Sequence, residues 1–216
     1  MGQGETKRRY DDACGLAHAL DLIGERWSML ILRELAYGSR RFSEIKADLP
    51  GISANVLTQR LAELERRGLV VRRKLPPPAS VQVYEATPWA LEAATVIGQL
   101  GRWAARSPQH DPTLPLSHAA IMMSLETMID AGRAGDLSGT FEFSFGDIVY
   151  TGVLGDGRFA VTRAPSPGSD VRIAATPHAL AGVIYNGAPI DLISVEGDVA
   201  LAKRFFTLFP LPAKAY

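Results

Sequence analysis

Apolar residues recur with helical spacing through the first hundred positions and with strand-like alternation in much of the rest. Leu16, Leu20 and Ile23 share one side of a helix, and Trp27, Leu30, Ile31 and Leu35 follow at i, i+3, i+4 and i+8. Gly24 and Gly38 punctuate these two helices. Phe42, Ile45 and Leu49 mark a short helix closed by Pro50-Gly51. Ser53 then caps a helix over 54–67 whose apolar stripe is Val56, Leu57, Leu61 and Leu64, with Gly68 just past its end. Two strand-like runs, 69–74 and 81–85, flank Pro76-Pro77-Pro78-Ala79-Ser80. Pro88 opens a last helix to about 105, with Ala90, Ala94, Ile97, Leu100 and Ala104 on one side.

The segment 106–116 carries three prolines and little periodicity, so it predicts a connection between two domains, 11–106 and 117–216. The second has an α+β pattern. Ile121, Met122, Leu125, Met128 and Ile129 form a helix face, and 141–145 alternates at every position. Runs at 149–154 and 158–163 flank Gly155-Asp156-Gly157, which predicts a hairpin. A strand at 171–175, a helix from Thr176-Pro177 to Ile184, a strand at 193–196 and a helix bearing Val199, Ala202, Phe205, Phe206 and Phe209 complete it.

Charge changes this picture in one respect. The net charge is zero, from 23 basic and 23 acidic side chains. Residues 1–106 hold 16 Lys and Arg against 12 Asp and Glu, a balance of +4, which leaves 7 against 11, or −4, for 107–216. Only the first half favours a polyanion, through clusters such as Lys7-Arg8-Arg9, Arg40-Arg41, Arg66-Arg67 and Arg72-Arg73-Lys74.

Helix, helix, short helix, turn, helix and a two-stranded wing is the order of a winged helix-turn-helix. A helix fits the major groove, where each base pair presents its own donor and acceptor pattern. The helix at 54–67 offers Ser53, Asn55, Thr58, Gln59 and Arg60 near its start, residue types that pair with base edges. Arg40, Arg41, Ser43, Arg72, Arg73 and Lys74 suit the phosphate backbone, which sets position rather than sequence preference. Taken singly, each of these is equally a solvated surface residue; their order along the chain is what points to double-stranded DNA.

The segments RRFSEI, LPGIS, LTQRL and ERRGLV, with Cys14-Gly15 upstream and Ala86-Thr87-Pro88 downstream, resemble the HxlR-type winged-helix regulators of bacteria over about 12–103. The family usually has glycine and lysine before the tryptophan, where this chain has Glu25-Arg26, and the wing tip with its three prolines also departs from the pattern. The resemblance implies a transcriptional regulator, dimeric through the first and last helices of the domain, on a pseudo-palindromic operator. Symmetry points the same way: paired recognition helices about 34–36 Å apart would meet half-sites one helical turn apart. The stripe of helix 88–105, with Trp103, is either that dimer seam or packing within its own domain. Cys14 matches a position where such proteins can sense oxidants or electrophiles; its other reading is a small buried hydrophobe.

Residues 117–216 are similar to the sterol-carrier-protein-type fold, chiefly at 170–177 and 193–198. That implies an antiparallel sheet packed by helices around an apolar tunnel for a hydrophobic ligand. Met122, Met128, Phe141, Phe143, Phe145, Ile184, Phe205 and Phe206 are the candidate wall, and equally a filled core.

No apolar stretch approaches the ~20 residues of a membrane helix. The N-terminus lacks a secretory pattern, and one cysteine suits a reducing compartment, so the cytoplasm is expected. His18, His110, His118 and His178 lack metal-ligand spacing, and neither a GxSxG elbow nor a P-loop is present. No metal, cofactor or enzymatic activity is expected. A lipid carrier whose winged helix contacts other proteins is the alternative from another class.

Overall fold

The computed structural model describes residues 10–216, so the basic run Lys7-Arg8-Arg9 lies outside the described residues. The chain forms two compact units, one of residues up to Leu35 with Ser39–Leu91, the other of Ala36–Gly38 with Glu92–Tyr216.

In the first unit, α1 (Gly15–Ile23), α2 (Ser28–Leu35), α3 (Phe42–Asp48) and α4 (Ala54–Arg66) precede an antiparallel hairpin, β1 (Val70–Lys74) and β2 (Gln82–Ala86). Arg40 adds an isolated antiparallel bridge to Tyr84, making a third short edge to the wing. Ile31, Leu35, Ile45, Leu57, Leu61 and Leu64 are fully buried at the centre. The end of α4 is closed by bonds from the Gly68 N–H to the Glu65 carbonyl and from the Leu69 N–H to the Leu64 carbonyl. Thr87 Oγ1 donates to the Gly68 carbonyl and caps the Ala90 N–H, so one side chain ties the end of α4 to the start of α5 (Pro88–Ala104). The apolar face of α1 is largely open within the protomer. Leu16 is 69% exposed, Leu20 is exposed as well, and only Ala17 is buried.

The second unit holds α6 (His118–Met128), α7 (Ala131–Ala134), α8 (Pro177–Tyr185) and α9 (Val199–Phe206). Its five-stranded sheet contains β3 (Gly139–Phe145), β4 (Ile148–Gly155), β5 (Arg158–Thr162), β6 (Val171–Ala174) and β7 (Ser194–Gly197), in the order β5-β4-β3-β6-β7. The expectation of an antiparallel sheet is corrected: β3 pairs with β6 in parallel, and the other three ladders are antiparallel. After the β3-β4-β5 meander the chain crosses to the far side of β3, and this reverses the direction of the next strand relative to a hairpin. The crossing is held by polar groups of the sheet, with the Ser166 N–H donating to Glu142 and Thr151 Oγ1 donating to the Ala164 carbonyl.

Period-two alternation sorts the sheet into two faces. Phe141, Phe143, Tyr150, Phe159 and Ile173 point to the buried face, whereas Glu142, Arg158, Thr162 and Arg172 lie on the other. Aromatic rings occupy the core directly: Phe205 stacks on Phe141 at 4.0 Å between centroids and lies 4.8 Å from Phe209. Gly152 makes room for this packing, since a Cβ there would sit 2.1 Å from Phe159 Cζ. Of the candidate wall residues, Met122, Met128, Phe141, Phe143, Ile184, Phe205 and Phe206 are buried in this core and Phe145 is half-buried.

The free edge of β5 is sealed by α6. Glu126 accepts from the Val161 N–H at 2.8 Å and from the Tyr37 hydroxyl at 2.5 Å. Burial raises its carboxyl above the ordinary range against the opposing effect of these two bonds. A raised folded-state pKa contributes stability that is complete below the unfolded pKa and is lost as pH rises through the folded one. The Glu126→Gln variant keeps the size, can accept the Val161 N–H through its amide oxygen and can donate its amide N–H to the Tyr37 hydroxyl. It is therefore expected to be less pH-sensitive than the parent from the ordinary carboxylate range upward, which urea midpoints at a series of pH values would show. Midpoints that fall with pH equally in both proteins would contradict this.

Candidate nucleic-acid interface

The helix α4 is amphipathic by construction. Leu57, Leu61 and Leu64 are buried on one side, and Asn55, Thr58 and Gln59 are exposed on the other. Ser53, the N-cap, accepts the Val56 N–H through its Oγ at 3.2 Å and keeps its hydroxyl proton for another partner. Gln59 Nε2 donates to Glu63 Oε1 at 3.1 Å, which holds the amide in place along the helix. The start of α4 thus presents three amide or hydroxyl side chains on one outward face, the donor and acceptor set that distinguishes base edges.

The residues expected to contact the DNA backbone, and Arg60, stand in three environments: exposed, half-buried and buried. Arg41 and Ser43 are exposed at the start of α3, and Arg73 and Lys74 are exposed on the wing, where Arg73 pairs with Glu85 at 3.1 Å. Arg60 is half-buried and bridges Glu63 and Glu25, the latter at 3.5 Å, so it flanks the reading face rather than standing on it.

Arg40 is a correction. It is 2% exposed and lies among Glu34, Glu44 and Asp48, with Glu34 in turn held by Arg33 at 2.6 Å. Its backbone pairs with Tyr84 in both directions, N–H to carbonyl at 2.9 Å and carbonyl to N–H at 2.8 Å. Because side chains alternate along an extended segment, Arg40 turns inward where Arg41 turns outward. A guanidinium so enclosed orders the domain and is withheld from phosphate.

Two features went unread in the sequence. The α1–α2 turn runs alongside α4: Arg67 donates to the Leu22 carbonyl at 2.8 Å near one end, and Trp27 lies against Gly51 at the other. Trp27 has φ 81°, in the left-handed region, at a cost of roughly 1–3 kcal/mol for a residue of this bulk. Gly51, facing it in the α3–α4 turn, has φ 88°, which a side chain there would strain.

The sequence matches the HxlR-like helix-turn-helix family over residues 22–111. Among its relatives is the uncharacterized HTH-type transcriptional regulator YvaP of Bacillus subtilis (strain 168), 39% identical over 105 residues that make up 48% of this chain and 91% of that protein. The chain belongs to the HxlR-like helix-turn-helix family. The HTH-type transcriptional regulator YodB of the same organism is 36% identical over 40% of this chain and 77% of its own length. The solved structure of reduced YodB is 32% identical and covers 46% of this chain and all of that one, with a TM-score of 0.41. The HxlR-like relatives are transcriptional regulators, so the chain is of a DNA-binding, helix-turn-helix regulator type.

Among the described residues no helix is long and apolar enough to cross a membrane, and no group of three or more His, Cys, Asp or Glu could hold a metal ion. Within α4, Asn55→Ala and Gln59→Ala are each expected to weaken binding to a preferred duplex by about 1–3 kcal/mol. Binding to a scrambled duplex should change little, and competition anisotropy with the two duplexes measures the ratio. Equal losses on both would move the reading face elsewhere.

Proposed function

We propose that this chain is a sequence-specific transcriptional regulator that binds a pseudo-palindromic operator as a homodimer, with α4 in the major groove and its second unit as the sensor of a hydrophobic ligand. The observation that carries the reading is the outward face of α4, where Asn55, Thr58 and Gln59 stand exposed opposite a fully buried leucine stripe. Arg41, Ser43, Arg73 and Lys74 supply the flanking backbone contacts in this arrangement.

Dimerisation is supported by the surface of α5. Trp89, Val96 and Trp103 recur at intervals of seven, with Leu100 between the last two, and all are exposed, at 49%, 66%, 68% and 45%. Such a heptad seam packs against a second copy of itself. The stripe one residue away is spent in part within the protomer, since Ala90 is buried and Ala94 and Ile97 are half-buried. α1 adds Leu16 and Leu20 to the exposed apolar surface.

Ligand control rests on the resemblance in sequence of residues 117–216 to sterol-carrier-type domains, and on a sheet with helices over its apolar face. A ligand entering there must part rings already in contact. Its binding would register as a change in near-ultraviolet circular dichroism, and it regulates only if its affinity differs between DNA-competent and incompetent dimers. Cys14, exposed at the N-cap of α1, is the proposed oxidant or electrophile sensor. Alkylation that leaves operator affinity unchanged would remove that role.

The experiment is selection of duplexes from a randomised pool by the full-length chain. Enrichment of two inverted half-sites about 10–10.5 base pairs apart, or a multiple of that, is expected. A pool that stays random after repeated rounds would refute the reading, and would leave the lipid carrier as the better one.

A further inference from the structure

The α1–α2 turn carries a basic residue that the interface described so far does not use. Glu25 to Ser28 form a tight turn, closed by a bond from the Ser28 N–H to the Glu25 carbonyl at 3.0 Å. Its third residue is in the left-handed region, a position that such turns normally give to glycine or asparagine. Here it is Trp27, and the ring is wedged against the α3–α4 turn, with Cη2 3.8 Å from where a Cβ on Gly51 would be. The guanidinium carbon of Arg26 lies 5.4 Å from the centre of that ring. Arg26 is exposed and has no carboxylate partner among the described residues; its neighbour Glu25 pairs with Arg60 instead. The left-handed turn thus sets an aromatic shelf beside an exposed cation, within cation–π reach.

The position of this shelf relative to α4 gives it a use. Around the axis of α4, Asn55 and Gln59 lie opposite the buried leucines. The wing is attached on one flank, where Arg72 pairs with Glu65 at 3.7 Å. The α1–α2 turn lies on the other flank, at Arg60 and Arg67, and reaches the level of the N-terminus of α4 at Trp27. A major groove about 12 Å wide admits a helix of about 10–12 Å and leaves a phosphate strand along each side of it. The wing therefore faces one strand, and the turn faces the other.

We propose that Arg26, held on the indole of Trp27, is a phosphate contact that clamps the backbone strand on the side of α4 away from the wing. This rests on α4 being the recognition helix. The cation–π contact favours this placement of the guanidinium before DNA arrives, so less side-chain freedom is lost in forming a bidentate contact.

The test uses the full-length chain, a preferred duplex and a scrambled one, with affinity measured over a salt series. Each phosphate contact contributes about −0.9 to the slope of log affinity against log salt, so Arg26→Ala should make the slope shallower by about 0.9 for each bound protomer. Arg26→Lys should restore most of the slope, and the preference for one duplex over the other should stay as in the parent. Thermal unfolding of the free proteins should coincide, because Arg26 is exposed. A parental slope and affinity in Arg26→Ala would overturn the proposal while leaving α4 as the reading helix. A changed sequence preference with an unchanged slope would overturn it in favour of a base contact. If the parent itself shows no salt-dependent DNA binding, the recognition-helix reading fails and this one with it.

Discussion

On the proposed dimer, Trp103→Glu is expected to leave a monomer and to lower operator affinity by about 10²–10⁴-fold, the range by which two linked sites exceed one. Trp103 is 68% exposed on α5, in line with Trp89 and Val96. In a symmetric seam each copy of the residue faces the partner helix, so the substitution brings two carboxylates into an apolar contact. A single protomer keeps its own α4 and its own contacts, and binding to one half-site should persist at the lower affinity. Sedimentation of the free protein and anisotropy with whole and half operators would read both effects. A variant that stays dimeric would place the interface on another face, with Leu16 and Leu20 of α1 the next surface to alter.

Arg40→Ala is expected to destabilise the first unit by about 3–5 kcal/mol, the range for removing one partner of a buried ion pair. The loss is large because Arg40 is buried among Glu34, Glu44 and Asp48, and its removal takes one cation away from a Glu34 side chain that has no exposure. The same site links α2, α3 and the wing, through Glu34, through Glu44 and Asp48, and through the backbone pairing with Tyr84. Arg41→Ala, one position away, should change stability by less than about 0.5 kcal/mol, as exposed substitutions do. Its effect should appear in the salt dependence of DNA binding instead. Urea unfolding followed by far-ultraviolet circular dichroism separates the two variants, and equal small losses would contradict the assigned roles.

The contrast between Arg40 and Arg41 shows where the sequence stops being informative. Side by side they are indistinguishable, and which one faces inward depends on a bridge to Tyr84, more than forty residues along the chain. By comparison, α4 was legible from its leucine spacing, its Ser53 cap and Gly68, because all three are local signals. The alternation at 141–145 was equally local and gave β3 its inward face. The parallel pairing of β3 with β6 left no mark, since strand partners are chosen across the fold. The apolar stripe of α1 was legible too, but spacing shows only that a face is apolar and not whether the same protomer covers it. Trp27 in the left-handed region was invisible for a simpler reason: its residue type argues against that conformation.

The claim that everything else depends on is that α4 and its flanks bind DNA with sequence preference. The most direct measurement is the affinity of the full-length chain for a selected duplex and for a scrambled one of equal length and composition, taken from about 50 to 200 mM salt. Steep salt dependence on both is expected, with tighter binding to the selected duplex by roughly 10³-fold or more. Equal affinity for the two, or binding to either that is insensitive to salt, would contradict it.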